Sequence, residues 1–451
     1  MRAPRVSTCV VAILFFTFSA ARSEAQQPSQ AQQPQFSSFE RERAIQMLET
    51  ISSDIKKHYY DPKFHGLDWD ARVQEAKDRV EKSTSQNAAL SHIAGALDAL
   101  NDSHTFFLPP SRPYVHDYGL EFQMIGDRCF VTRVRPGSDA ESKGVKPGDE
   151  VLAINGFQPT RQNLWQMDYV FHTLRPQLSL RLDLRHPAGA TLQVEAAAKF
   201  RELQRIKDLT GSSGAGDIWD LFRAGEDARH LRRARVEEFG DDLMILKLPQ
   251  FAFSQSEVEE IIGKARKHKA LIIDLRENPG GAIDTLKYLT GGVFENEVKV
   301  ADRVSRKDTK PLTEKYHAHN PFVGKLVVLI DSGSASCSEI FARVVQLEKR
   351  GTILGDHSSG KVMESRHYSY SAGMGVTVFY GASITEADVI MTDGKSLENV
   401  GVTPDETLLP TAADLASGRD PVLARAAELA GVKMTPEQAG KLFPYEWPKV
   451  E

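Results

Sequence analysis

Three cysteines in 451 residues, Cys9, Cys129 and Cys337, are too few for a disulfide framework. Cys129 and Cys337 lie far apart and are expected to stay free, packing as small apolar residues. Charge of one sign is not in excess: 56 basic residues face 61 acidic ones, so a nucleic-acid partner is not expected. No long apolar run follows the N-terminal stretch, and stable membrane insertion is not expected. Two hydrolase signatures are missing as well. No Gly-x-Ser-x-Gly elbow occurs, which weakens a Ser-His-Asp reading built on His357. No His-Glu-x-x-His occurs either, and His317 and His319 make only an H-x-H pair. No metal and no cofactor are implied.

At the N-terminus, Arg2 and Arg5 precede an uncharged run of 16 residues, Val6 to Ala21, and Ser23-Glu24-Ala25 supplies small residues for cleavage. That run is shorter than the ~18 residues a membrane anchor needs. Residues 1–25 therefore read as a cleaved signal, with the mature chain periplasmic or extracellular. Its removal takes three arginines and one glutamate, moving the formal net charge from −5 to −7. Gln/Pro-rich residues 26–36 read as a disordered spacer.

Residues 37–112 read as a helical region. Ile45, Leu48, Ile51 and Ile55 follow helical spacing before Asp61-Pro62, a second helix covers Trp69 to Glu81, and a third runs from Asn87 to Leu100. The loop Asn101-Asp102-Ser103-His104-Thr105 ends it, and a lone loop histidine such as His104 is usually structural. Residues 113–200 differ in texture. Tyr118-Gly119-Leu120-Glu121-Phe122 and Cys129–Val134 alternate as strands, followed by Pro136-Gly137-Ser138, Pro147-Gly148-Asp149 and Ile154-Asn155-Gly156. This series resembles the PDZ domain. The resemblance implies capture of a peptide C-terminus as an added strand, its carboxylate held at Tyr118-Gly119-Leu120. Residues 201–241, with Gly211-Ser212-Ser213-Gly214-Ala215-Gly216 and the Arg229–Arg235 cluster, read as a charged flexible insertion.

From 242 to 410 strands alternate with helices, as in an α/β domain, and 411–451 read as a helical tail. Strands are expected at Met244–Leu248, Ala270–Leu275, Leu326–Ile330 and Thr352–Leu354; helices at Ser256–Lys267 (capped by Ser256), Ala282–Leu289 and Ser338–Leu347. The turn Asp331-Ser332-Gly333-Ser334-Ala335-Ser336-Cys337 sits between a buried strand and an amphipathic helix. Such a turn holds a side chain where free backbone N–H groups stabilise developing negative charge. Gly360-Lys361 follows after the next short strand.

Together with Asp274-Leu275-Arg276-Glu277-Asn278-Pro279-Gly280-Gly281, Asp393-Gly394-Lys395 and Gly401-Val402-Thr403-Pro404-Asp405, these motifs resemble the C-terminal processing (tail-specific) serine peptidases over most of residues 40–410. The resemblance implies an α/β ClpP/crotonase-like catalytic core joined to a PDZ domain. It implies Ser336 as nucleophile and Lys361, 25 residues on, as general base. It implies oxyanion donors from the Cys337 N–H and from Gly280 or Gly281. Ser334 and Ser338 are then turn and helix-start residues. Glu339 either supports the dyad or is a helix-start carboxylate. Where the family often has a glutamine holding the amine, this chain has Ser365. The expected partners are unfolded or C-terminally exposed proteins. An idle scaffold working only through its PDZ unit is the alternative.

Overall fold

The computed structural model describes residues 36–112, 114–202, 233–314, 320–373 and 377–447. The leader, the glycine-rich stretch 211–216 and the His317/His319 pair lie outside the described residues.

The N-terminal helices Ser38–His58, Trp69–Glu81 and Gln86–Asp98 begin at side-chain caps: Ser37, which forms a capping box with Glu40, then Asp68 and Ser85. Their apolar stripes do not close on themselves. Leu48, Ile51, Ile93 and Leu97 share a core with Phe107, Tyr380, Ala382 and Ile384. The last three belong to the long strand Val378–Met391. That strand anchors a sheet in the order Phe106–Leu108, Val378–Met391, Val298–Ser305, Thr309–Glu314, with Met363–Ala372 also paired to it. The helical region thus ends in a strand, Phe106–Leu108, that leads from the Asp102–Thr105 loop into the peptidase half of the molecule.

A second, six-stranded sheet runs Glu406–Thr407, Thr352–Gly355, Lys325–Ile330, Ala270–Asp274, Leu243–Lys247, Arg235–Phe239. All its pairs are parallel except the last. Its central strands are buried on both faces, as their unbroken apolar sequences require. Helices Gln255–Ala265, Ile283–Val293 and Cys337–Leu347 cover one face, and Pro421–Leu429 covers the other. Burying each Leu, Ile or Val here contributes about 1.5–3 kcal/mol.

Several boundaries differ from the sequence expectation, among them the helix expected at Ala282–Leu289, which runs on to Val293. The first helix of this domain is capped by Ser254, in a capping box with Glu257, rather than by Ser256; Ser256 already lies inside the first turn. Arg235–Phe239 is an edge strand rather than part of an insertion. Its exposed Glu237 and Glu238 hide the pattern, while Val236 and Phe239 pack on the cores. The third N-terminal helix spans Gln86–Asp98 instead of reaching Leu100.

The PDZ unit is a five-stranded antiparallel sheet, Leu120–Ile125, Arg128–Val134, Glu150–Ile154, Ser179–Arg185 and Thr191–Ala197. It has its own core around Val131, Leu180 and Leu182. Cys129 packs there and Cys337 in the α/β core, both as free buried thiols.

Candidate active site

Strand Lys325–Ile330 ends at Asp331, whose carboxylate organises the turn. It accepts the N–H groups of Gly333 and Glu277, each at 2.9 Å. Ser334 and Ser338 are fully buried, and their hydroxyls donate to the carbonyls of Leu275 (2.8 Å) and Asn278 (2.9 Å). Both hydroxyls are therefore spent on joining the turn to the 275–281 loop. Ser336 is half-buried and stands at the N-terminus of Cys337–Leu347 with φ 54° and ψ −119°. A non-glycine residue held there stores about 1–3 kcal/mol of strain, and such outliers mark sites where the surroundings over-determine a side chain's direction.

Glu339 does that over-determining. Its fully buried carboxylate accepts four hydrogen bonds: from the N–H groups of Ser336 (3.1 Å), Gly360 (2.7 Å) and Lys361 (2.9 Å), and from the Ser358 hydroxyl (2.6 Å). Ser336 N–H also donates to the Lys361 carbonyl at 2.9 Å. One side chain therefore fixes the Ser336 turn to the Gly360-Lys361 turn. Burial pushes its carboxyl up to about 7, against the four donors that favour the charged form. Between the sequence alternatives, its contacts are with backbone and hydroxyl groups of both turns rather than with the Lys361 amine.

The 278–281 loop lies against Ser336. Asn278 is fully buried; its amide donates to the Leu248 carbonyl and its side-chain oxygen accepts the Gly280 N–H at 2.8 Å. A Cβ on Gly280, which has φ +94°, would lie 2.6 Å from Ser336 Cβ and 2.9 Å from Cys337 N. Only glycine permits that approach. Among the described residues, the N–H groups of Cys337 and Gly281 donate to no acceptor, whereas Gly280 has spent its own. Of the glycine pair, Gly281 is thus the one with a donor to offer.

Lys361 lines the same cleft. Burial pushes its amine down to about 8, against the pull of Glu339, Glu398 and Asp168. Its Nζ stands 4.8 Å from the ring centre of Trp165, a PDZ residue, and makes no hydrogen bond to Ser336 Oγ. Ser365 also reaches the cleft, on strand Met363–Ala372, but its hydroxyl accepts from Ser383 at 3.0 Å. His357 is elsewhere: its Nδ1 pairs with the Ser358 carbonyl and it does not line the cleft.

A group that sequence order hides stands beside Lys361. Glu398 accepts Ser103 N–H (2.7 Å), Ser103 Oγ–H (2.8 Å) and Val362 N–H (2.8 Å). Ser103 has then spent its proton, so His104 Nδ1, 2.8 Å from Ser103 Oγ, must donate. This leaves Nε2 as a bare acceptor, with no partner among the described residues. Burial, helped by the Lys361 and His367 charges, pushes His104 down to about 4 against the pull of Asp102, so the ring is neutral. Ser103 and Glu398 are 295 residues apart, and no local pattern joins them.

The cleft, about 640 Å³, runs without interruption from Ser336, Lys361 and His104 to the PDZ strand Leu120–Met124 and to Trp165 and Phe171. At its PDZ end the Tyr118 side chain is buried, donating to the carbonyls of Gln177 (2.8 Å) and Phe171 (3.2 Å). Gly119 has φ +67°, and its N–H donates to Asp117, which pairs with Arg135. Of the expected loop, Leu120 lines the cleft, while Tyr118 and Gly119 shape it from behind.

Residues 242–408 match the model of peptidase family S41, residues 40–88 the tricorn protease C1 domain, and residues 112–170 the PDZ domain. The chloroplastic C-terminal processing peptidase of Tetradesmus obliquus is 25% identical over 374 residues, 79% of this chain and 75% of that protein. The tail-specific protease of Haemophilus influenzae is 27% identical over 286 residues, 60% of this chain but only 38% of that longer protein. Among solved structures, mature CPAF aligns with a TM-score of 0.62 at 16% identity, covering 84% of this chain and 95% of that one. The photosystem II D1 C-terminal processing protease aligns at 0.50 and 18%, covering 90% and 99%. At such identities these two structures speak for the fold. Residues 242–408 are thus an S41 peptidase domain, with a tricorn C1 segment and a PDZ domain ahead of it, and the relatives that share this arrangement are named as C-terminal processing and tail-specific proteases.

Proposed function

We propose that this chain is an exported serine endopeptidase that takes unfolded proteins by their C-terminal tails and cuts them through Ser336 and Lys361. The basic then apolar stretch 2–21 supports export, and among the described residues no helix is long and apolar enough to cross a membrane. The observation that carries the catalytic reading is the Glu339 carboxylate, which binds the strained Ser336 turn and the Lys361 turn into one unit.

Lys361 leaves the Trp165 face and takes the Ser336 proton on its neutral amine as Ser336 Oγ bonds to the peptide carbonyl carbon. The resulting oxyanion is held by the N–H groups of Cys337 and Gly281. The C–N bond breaks as the leaving amine takes the proton from Lys361, and water attacks the ester in a second, similar cycle. Gly280→Ala is expected to lower kcat about 100-fold, the scale of losing one such donor, because the added methyl would drive Ser336 and the Cys337 N–H apart; steady-state turnover of an unfolded protein substrate checks this.

A second reading of the base has its own support. Glu398, Ser103 and His104 form a relay that leaves a bare Nε2 beside the same cleft. An imidazole with its tautomer fixed by a carboxylate-backed acceptor is the arrangement of a general base. The function itself is tested with the mature chain and an unstructured protein carrying a free or an amidated C-terminus. The wild type should cut the free form and cut the amidated form more slowly, and Ser336→Ala should cut neither. Tail binding without any cutting would instead make the chain a peptide-binding scaffold.

A further inference from the structure

The PDZ strand that lines the cleft is not open along its whole length. Leu120–Ile125 pairs with Arg128–Val134 on one side only, so its other edge is the one that accepts an added strand. The nucleophile turn closes the far end of that edge. Ser332 Oγ donates to the Met124 carbonyl at 2.5 Å, and the Gln123 amide donates to Asp331 at 2.5 Å. Just beyond, Gly126 N–H donates to Asp356 at 2.8 Å. Arg161 binds the same carboxylate at 2.6 Å while donating to the carbonyls of His357 and Gly126. Arg133 fixes the neighbouring strand to Glu277 at 2.6 Å, next to the Asn278–Gly281 loop. The PDZ unit is therefore bolted to the Ser336 turn at one end of its binding edge.

Direction follows from pairing. A tail added antiparallel to Leu120–Ile125, with its carboxylate at the Gly119-Leu120 end, runs backwards along the chain toward Met124. Backbone groups alternate along a strand, so residues of the parity of Met124, namely Leu120 and Phe122, share its outward direction. Leu120 to Gln123 offers about 13 Å of free edge at ~3.3 Å per residue, enough for about four tail residues. At that point Ser332 occupies the next carbonyl, and the tail must turn off the strand onto the loop that carries Ser336, four positions further along.

We propose that this closed edge is a ruler: a tail is cut at a fixed, short count of residues from its own C-terminus, whatever sequence lies at the cut. Ser332 and Gln123 set the count by stopping the added strand. The fragment held on the PDZ strand is the leaving group. It departs as a short peptide with a new N-terminal amine, while the upstream protein is the acyl group on Ser336 and leaves with a new carboxylate after hydrolysis. The proposal rests on the peptidase reading above, and its test separates the two.

Unstructured peptides of one core sequence are extended at the C-terminus one residue at a time, incubated with the full mature chain, and their products weighed by mass spectrometry. The expected result is a C-terminal product of constant residue count, the cut moving by one position with each extension. Ser332→Ala, which frees the Met124 carbonyl, is expected to spread the products toward lengths about two residues greater, the repeat of the outward-facing positions. Ser336→Ala should yield no products. A cut that stays at the same sequence in every peptide overturns the ruler and leaves the peptidase reading standing. No cutting of any peptide by the wild type overturns both.

Discussion

Replacing Glu339 by alanine is expected to lower the thermal midpoint of the peptidase domain by about 10 °C and to lower kcat at least 100-fold. The stability term comes from donors left without acceptors. The N–H groups of Ser336, Gly360 and Lys361 and the Ser358 hydroxyl all point at this carboxylate inside the protein, and each orphaned donor costs about 1–3 kcal/mol. Relief of a buried charge offsets part of that, leaving about 4 kcal/mol, which at roughly 2–4 °C per kcal/mol gives the midpoint shift. The activity term is geometric. Ser336 holds φ 54° only while its N–H is tied between Glu339 and the Lys361 carbonyl, and a misplacement near 1 Å can cost 100-fold. Calorimetry and turnover on the same preparation check both, and an unchanged kcat in a destabilised variant would show that the clamp serves the fold alone.

Lys361→Ala is expected to abolish cleavage, and the wild type should show a kcat/KM that rises with pH through a midpoint near 8. The sign follows from which form acts. Burial lowers the amine from its ordinary 10.5 to about 8, and only the neutral amine accepts the Ser336 proton. Below the midpoint the rate climbs about tenfold per pH unit, and above it the rate levels off. Trp165 belongs to this prediction, because its ring covers the amine. The His104 base gives a different curve. With the ring neutral above about pH 4, kcat/KM would be flat from pH 6 to 10, Lys361→Ala would retain activity, and His104→Ala would lose it. Profiles of the wild type and the two variants against one peptide separate these outcomes.

The legible part of this site was its turn. Small residues between Leu326–Ile330 and an amphipathic run leave few structures other than a strand delivering a side chain to a helix start, and Lys361 is placed by the next strand of the same alternating pattern. The PDZ strands were legible through their glycine turns and alternation. What stayed hidden depends on long-range closure. Glu398 meets Ser103 only because strand Phe106–Leu108 crosses into the peptidase half and pairs with Val378–Met391. Trp165 reads as an ordinary PDZ helix residue until the two units are docked. The choice between Gly280 and Gly281 turns on one side-chain hydrogen bond from the Gly280 N–H to Asn278, which spacing does not encode. The sheet built on residues 298–391 went unread because its strands mix buried and charged positions, as in Met363–Ala372.

Ser365 remains the departure from the family pattern. Its hydroxyl accepts from Ser383 and makes no hydrogen bond to Lys361; a holding partner for Lys361 is available in the same cleft at His104, whose Nε2 has no partner among the described residues. The pH profile of His104→Gln, which restores a side-chain amide, would then stay close to wild type, whereas loss of the histidine as a base would not be rescued.

The central claim is that the strained serine of the 331–337 turn is the nucleophile. The most direct measurement is covalent: the mature chain is treated with a fluorophosphonate, digested, and the modified peptide located by mass spectrometry. A single adduct on Ser336, formed faster as pH rises through about 8 and absent from Ser336→Ala with Ser334 and Ser338 intact, is the predicted result. An adduct on Ser334 or Ser338, whose hydroxyls are buried and donate to the Leu275 and Asn278 carbonyls, or no adduct on a folded chain, would contradict it.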